Sequence, residues 1–242
     1  MSEEERQRVI RLKLARMQSR ASDAIPTGFT ALDQALGGGL PRGRIVELFG
    51  PSSSGKTTLA LQLVAEAQRG GLAAAWMDAD HTFDPAYAGR LSVNLETLPV
   101  GQPESAEEAL EVTRQLAVSG AVDLLVVDSA AALVPRMELE TALGESGPGM
   151  QSRVLASGLR KLSTVLARTG VVILFLNQTR GSDGEGEVSA GGPGLKLHAA
   201  VRISLEPAER GVRFRTVKNK VATPFFEGKL QWENGVGFVK PA

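Results

Sequence analysis

From residue 44 onward, runs of consecutive apolar side chains alternate with segments of helical periodicity. Val122-Asp123-Leu124-Leu125-Val126-Val127 and Val171-Val172-Ile173-Leu174-Phe175-Leu176 are almost wholly apolar. Strands of this kind are buried on both faces, which requires a parallel sheet covered by helices. The pattern predicts strands at 44–49, 72–77, 122–127 and 171–176, and helices at 57–68, 105–119 and 149–169. After residue 199 the runs become short and alternating, at 200–205, 212–218, 228–233 and 236–240, as in an antiparallel extension of the sheet edge. Upstream, a short helix over 30–36 stops at Gly37-Gly38-Gly39, with Pro41 beyond. Residues 1–20 read as a charged helix with one irregular apolar stripe: Val9, Ile10, Leu12, Leu14 and Met17. Such a stripe is too narrow to fold alone, so it docks either on its own domain or on a neighbouring subunit. The division that follows is 1–24, a helix and linker, and 25–242, an α/β core.

Composition narrows this picture without changing it. The 242 residues are 43% hydrophobic, enough for a full core. The absence of cysteine excludes disulfides and thiolate metal sites, and two histidines are too few for a zinc site of their own. No run approaches the ~18 apolar residues of a membrane span, and the polar N-terminus carries no secretory signal. A cytoplasmic protein with no membrane contact is expected. With 27 basic and 27 acidic side chains, any nucleic-acid contact must come from a local patch and be salt-sensitive.

Between the strand at 44–49 and the helix at 57–68 lies Gly50-Pro51-Ser52-Ser53-Ser54-Gly55-Lys56-Thr57, a complete G-x-x-x-x-G-K-[ST] phosphate loop in its proper context. Its glycines let successive N–H groups curl around an anion, and the helix adds its positive end. Lys56 would reach the β- and γ-phosphates, and the Thr57 hydroxyl would hold Mg²⁺. These residues imply a P-loop NTPase that binds ATP with Mg²⁺. In an open α/β sheet the ligand lies beyond the carboxyl ends of the strands. Asp128 ends one apolar run and suits a metal-shell acid; Asp80, flanked by Asp78 and His81, and the pair Asn177-Gln178 follow two others.

The segments GPSSSGKTT (50–58), MDADHTFDPAYA (77–88), AVDLLVVDSAAALVP (121–135), LNQTR (176–180) and TVKNKVATPF (216–225), in this order, resemble the bacterial RecA recombinases from about Ile25 to Val239. The resemblance implies a mostly parallel ATPase core, filaments on single-stranded DNA, and ATP held between adjacent subunits. Carried over residue by residue, Gly50 to Thr58 would hold the phosphates and Asp128 would stand behind the Mg²⁺. Asp80 would orient the attacking water, and Gln178 would sense the γ-phosphate. Asp84 and Tyr87 would lie beside the adenine. Lys218 and Lys220 would reach ATP bound by the neighbour, working like an arginine finger in trans. As cations two residues apart on a strand they would also share a face. Arg153, Arg160, Arg180, Gly191, Gly192 and Lys196 occupy positions matching the family's DNA-contacting residues.

The departures are as informative. The family has Glu where this chain has Asp80; the shorter side chain draws the carboxylate back by roughly 1 Å, a misplacement that can cost about 10²-fold in rate. Slow hydrolysis follows as an expectation. Residues 181–190, GSDGEGEVSA, are shorter and more acidic than the family's second DNA loop, and Pro148 stands in the first loop (138–150) where an inserted apolar side chain is the family's pattern. Leu197 stands where the family has an aromatic, and since the sequence runs to about the end of the core sheet, a protein lacking the family's C-terminal domain is the expectation. Two readings compete: an ATP-dependent recombinase core that binds single-stranded DNA and self-associates into a filament or ring, and a paralogue acting through protein contacts. The paralogue would regulate a full-length RecA filament or serve a translesion, damage-tolerance polymerase complex in the manner of ImuA-like proteins. A stand-alone small kinase or transport ATPase is a third, less supported reading.

Overall fold

The computed structural model describes residues 23–142, 149–180 and 188–239, together with Glu3 and Gln7, both helical; for Arg180, Val188 and Ser189 it describes the backbone alone. The remainder of the N-terminal helix expected at 1–20, Pro148, and the acidic stretch 181–187 lie outside these residues.

The core is one large sheet ordered β12-β11-β10-β9-β3-β7-β6-β4-β5. Its strands are β3 (Ile45–Gly50), β4 (Ala74–Asp78), β5 (Val100–Gly101), β6 (Leu124–Asp128), β7 (Val172–Arg180), β9 (Val201–Ala208), β10 (Gly211–Asn219), β11 (Glu227–Glu233) and β12 (Gly237–Val239). From β9 to β5 every neighbour pair is parallel, and β10, β11 and β12 add on antiparallel, as the hydrophobic pattern predicts. A separate two-stranded ladder joins β1 (Ala24–Ile25) to β2 (Leu40–Pro41), and β8 (Val188–Ser189) pairs with the end of β7.

The apolar runs are continuous because successive residues face different cores. Leu124 and Val126 of β6, with Val172, Leu174 and Leu176 of β7, join one buried cluster with α1 (Thr30–Leu36) and α2 (Lys56–Arg69). Leu125, Val127, Ile173 and Phe175 join the other, under α4 (Ala106–Ser119) and α6 (Met150–Thr169). The remaining helices are short: α3 (Pro85–Arg90), α5 (Arg136–Glu140) and α7 (Gly194–His198). Among the described residues, no helix is long and apolar enough to cross a membrane.

Buried polar groups pin the middle of the sheet. Arg202 on β9 donates through Nε to Glu47 on β3, and its guanidinium lies 4.5 Å from the centre of the Phe49 ring. Asn177 on β7 donates to Glu47 Oε1 at 2.9 Å and to the Ala190 carbonyl at 3.0 Å. Three adjacent strands are thereby tied across an otherwise apolar interior.

Candidate functional site

The parallel strands β3, β4, β6 and β7 end on the same side of the sheet, at Gly50, Asp78, Asp128 and beyond Gln178. Register makes the convergence specific: Gly50 is the cross-strand partner of Gln178, and Asp78 of Asp128. Gly50 to Gly55 form the turn into α2. Gly55 caps that helix with φ of 79°, and a side chain there would collide with the Phe238 ring, its Cβ only 2.6 Å from Cζ. At Gly50 a Cβ would lie 2.3 Å from the Leu205 carbonyl oxygen. Both glycines are therefore demanded by close approach as well as by the loop's curvature. Pro51, Ser52 and Ser53 are exposed and Ser54 is buried.

The Lys56 ammonium donates to the Gly50 carbonyl at 3.1 Å, the Pro51 carbonyl at 2.6 Å and Ser54 Oγ at 3.3 Å, so it sits inside the loop. Burial lowers its pKa, and the charges of Asp128 and Asp80 oppose that effect. Thr57 Oγ1 donates to Asp128 Oδ2 at 3.0 Å, which joins the start of α2 to the tip of β6. Burial raises the Asp128 carboxyl to about 6; the Thr57 hydrogen bond works against this, and Asp80 and Asp78 add to it. A hydroxyl and a carboxylate in contact form the hard-oxygen donor set that suits Mg²⁺.

Asp80 follows β4 by two residues and meets this group. Its amide and that of Ala79 both donate to the Asp128 carbonyl, and its Oδ1 accepts from Ser129 Oγ at 3.1 Å. Thr58 Oγ1 and the Tyr87 hydroxyl are 2.7 Å apart, which brings Tyr87 beside the start of α2. Asp84 caps α3: its Oδ1 accepts from the amides of Ala86 and Tyr87 at 2.8 and 3.0 Å. A cleft of about 800 Å³ opens at the phosphate loop, lined by Ser53 to Thr58, Pro207 to Val212, Trp232 to Asn234 and Phe238. Neither Asp84 nor Tyr87 lines it. Trp232 was not legible as a site residue; the only signal is a large aromatic left 39% exposed on a short alternating strand.

Lys218 and Lys220 lie far from this cluster. A bulge between Thr216 and Lys218 breaks the strand period, and Lys220 comes after the end of β10. The bulge precedes Lys218, and from there the pairing runs on without a shift, Lys218 opposite Arg202, Asn219 opposite Val201 and the Lys220 amide on the Ala200 carbonyl. The two lysines are electrostatic neighbours: burial first, then the charges of Lys220 and Arg202, lower the Lys218 pKa. Lys218 Nζ donates to the carbonyls of Lys196 and Leu197 at 2.7 and 3.1 Å, at the end of α7. Burial, Arg160, Lys218 and Lys220 together lower His198, so Arg160 belongs to the same basic group. Arg153 and Arg160 are both exposed, two turns apart on α6. Gly191 and Gly192 press on that helix at Leu155 and Ser152, and Lys196 is exposed on α7. The Arg180 side chain lies outside the described residues.

Fold and site together define a P-loop α/β protein whose strand tips carry carboxylate, hydroxyl and amide groups around the loop. A family model for the RecA N-terminal domain matches residues 6–238. Protein RecA of Thermus thermophilus is 48% identical over 242 aligned residues, covering 93% of this chain and 71% of that protein. Protein RecA of Chloroflexus aurantiacus J-10-fl is 48% identical over 235, covering 90% and 67%, and that of Methylobacterium sp. 4-46 is 46% identical over 233, covering 90% and 64%. The chain belongs to the RecA family, and its architecture is of the RecA type.

Proposed function

We propose that this protein is an ATP-binding RecA-like recombinase core in which two copies complete each nucleotide site. The observation that carries the reading is the separation of its cations along one strand direction. Lys56 lies at the Gly50 end of β3. Lys220 donates its amide to the Ala200 carbonyl, and the Ala200 amide to that of Ile45, placing Lys220 level with the opposite end of β3. Five residues at about 3.3 Å each put about 16 Å between those levels. Lys218, opposite Arg202 and so level with Glu47, is about 10 Å from the Gly50 level and two strands to the side. Both gaps exceed the reach of a lysine side chain. Lys218 and Lys220 therefore cannot serve their own chain's phosphate loop, and a cationic edge of this kind suits the triphosphate of a neighbour.

Within one copy, Gly50 to Thr58 bind the phosphates, and Tyr87 and Asp84 flank the base. Among the described residues no cluster of three His, Asp or Glu side chains could hold a metal, so Mg²⁺ would use Thr57 and Asp128 and otherwise phosphate and water oxygens. When bound, Mg²⁺ supplies charge neutralisation for the phosphoryl oxygens. Asp80 orients the attacking water, Gln178 faces the γ-phosphate, and hydrolysis is slow. The exposed Arg153 and Arg160, with Lys196 and the Gly191-Gly192 corner, offer a basic face for single-stranded DNA.

The second reading, a paralogue acting on a RecA filament or a damage-tolerance polymerase complex, is favoured by one observation, the three acids within residues 181–190. Calorimetry with ATP and Mg²⁺, light scattering with and without nucleotide, and a salt titration of single-stranded DNA binding test the proposal. Binding that Lys56→Ala abolishes, assembly that nucleotide promotes, and a salt slope of several ions are expected. A strict monomer at high concentration with nucleotide and DNA defeats the shared site, and no DNA binding at low salt favours the paralogue.

A further inference from the structure

Asp78 is fully buried at the end of β4, yet none of the roles above uses it. Its Oδ1 accepts from the Thr82 amide at 3.0 Å. Its Oδ2 accepts from the Phe83 amide at 3.2 Å and from Gln102 Nε2 at 2.9 Å. The carboxylate thus reaches forward past Asp80 and closes residues 78–83 into a ring. On the near side the ring is fastened by the Ala79 and Asp80 amides, which donate to the Asp128 carbonyl at 2.7 and 3.1 Å. On the far side Phe83 packs on Trp76, ring centres 5.7 Å apart. Within the ring, immediately after Asp80, His81 adopts φ of 54°. That backbone is unfavourable for a residue with a Cβ, and it persists only where surroundings over-determine it. The two bonds from Asp78 to the amides just past His81 are what hold it.

We propose that Asp78, held in turn by Gln102, is the positioning residue that fixes where the Asp80 carboxylate lies relative to the phosphate loop. The inference rests on the reading that Asp80 orients the attacking water. Both oxygens of Asp78 accept hydrogen bonds, so an asparagine would turn an NH₂ toward one of these N–H donors and open the ring on that side. Gln102 is exposed on the segment after β5, so its amide can be removed without disturbing the core. The neighbouring Ser129 hydroxyl, on Asp80 Oδ1, acts on the same carboxylate from the opposite side.

The test is a kinetic cycle with wild type, Gln102→Leu, Asp78→Asn, Asp80→Ala and the doubles that combine each of the first two with Asp80→Ala. ATP turnover gives kcat and KM, and equilibrium titration gives nucleotide affinity. Gln102→Leu should lower kcat about 3–10-fold and Asp78→Asn at least about tenfold, with affinity held within about twofold. In the Asp80→Ala background neither change should lower kcat further, because both act through that one carboxylate. If Asp80→Ala slows turnover while the other two leave kcat unchanged, or lower it equally in both backgrounds, the positioning role is overturned and the water-orienting role of Asp80 stands. If Asp80→Ala is as fast as wild type, or wild type shows no turnover, both fall. Should Asp78→Asn fail to fold, the surface change Gln102→Leu carries the same cycle.

Discussion

The carboxylate at position 80 offers the sharpest quantitative test. It is tethered at Oδ1 by Ser129 Oγ at 3.1 Å, and its backbone is fastened to the Asp128 carbonyl. The Cα is therefore fixed, and only side-chain length sets how far the carboxylate reaches. Asp80→Glu adds one methylene and advances the group by roughly 1 Å, the scale at which misplacement costs about 10²-fold. A full recovery would raise turnover about 100-fold, or about 2.7 kcal/mol of barrier. Nucleotide affinity should change less than about threefold, since the proposed phosphate contacts are those of Lys56 and the loop amides and an interaction made only in the transition state appears in kcat. Steady-state turnover at saturating ATP and single-stranded DNA, beside equilibrium nucleotide binding, measures both. A glutamate variant no faster than wild type, or faster only through tighter binding, refutes the water-orienting role.

Other expectations follow from the buried charges and the basic edge. Arg202→Met leaves Glu47 buried without its cation and should cost about 3–5 kcal/mol in denaturant unfolding, much of it recovered when Glu47→Leu is added. Because burial raises the folded Asp128 carboxyl to about 6 from 3.8, its ionisation opposes folding. Its contribution is most favourable below about pH 4 and is lost as pH rises through 6, about 3 kcal/mol by pH 7 in metal-free protein. The stability difference between wild type and Asp128→Asn should track that window, and Mg²⁺ affinity in the presence of ATP should fall as pH drops below about 6. Lys218→Ala should leave nucleotide affinity of dilute protein unchanged while lowering turnover at least about tenfold under assembling conditions. Equal loss at both concentrations would contradict a role in trans.

Elements defined by local pattern were legible, and those defined by distant pairing were not. The strand expected at 122–127 forms as Leu124–Asp128, and the helix expected at 57–68 as Lys56–Arg69, because two-sided burial and loop punctuation are written in adjacent residues. The two-residue β5 has no periodicity to read and exists only by pairing with Trp76 and Met77. Helix α3 is signalled by Asp84 with Pro85, a cap followed by a first-turn proline, although the resemblance to the family points to Asp84 as a ligand residue. The phosphate loop is a contiguous string and could be assigned from eight letters. Glu47 and Arg202 are each a single polar letter within a largely apolar run, 155 positions apart, so nothing local distinguishes them from a strand irregularity. Asn177 was legible as a polar residue closing a run, but its bond to Glu47, 130 positions away, was not. Asp78 was hidden differently, as the first of two acids whose second had the evident role.

The position of that hidden triad follows from the demands on β3. One end of the strand delivers Gly50 to the phosphate loop, while the other is level with Lys220, on the edge proposed to meet a neighbour's nucleotide. Glu47 lies between them, bonded to Asn177 on one side and Arg202 on the other, and Arg202 is the cross-strand partner of Lys218. Asn177 Oδ1 in turn accepts from the Gln178 amide at 2.9 Å. Close-packed apolar strands without such ties could slide by small amounts at little cost, but displacing one member here strips a buried charge of its partner. A shift at Gln178 is therefore resisted through Glu47 at Arg202. On the proposed shared site, each copy would carry a stiff connection between its own nucleotide and the one at its neighbour's loop. Weakening Glu47 by Glu47→Gln should then loosen the dependence of turnover on assembly more than it changes nucleotide affinity.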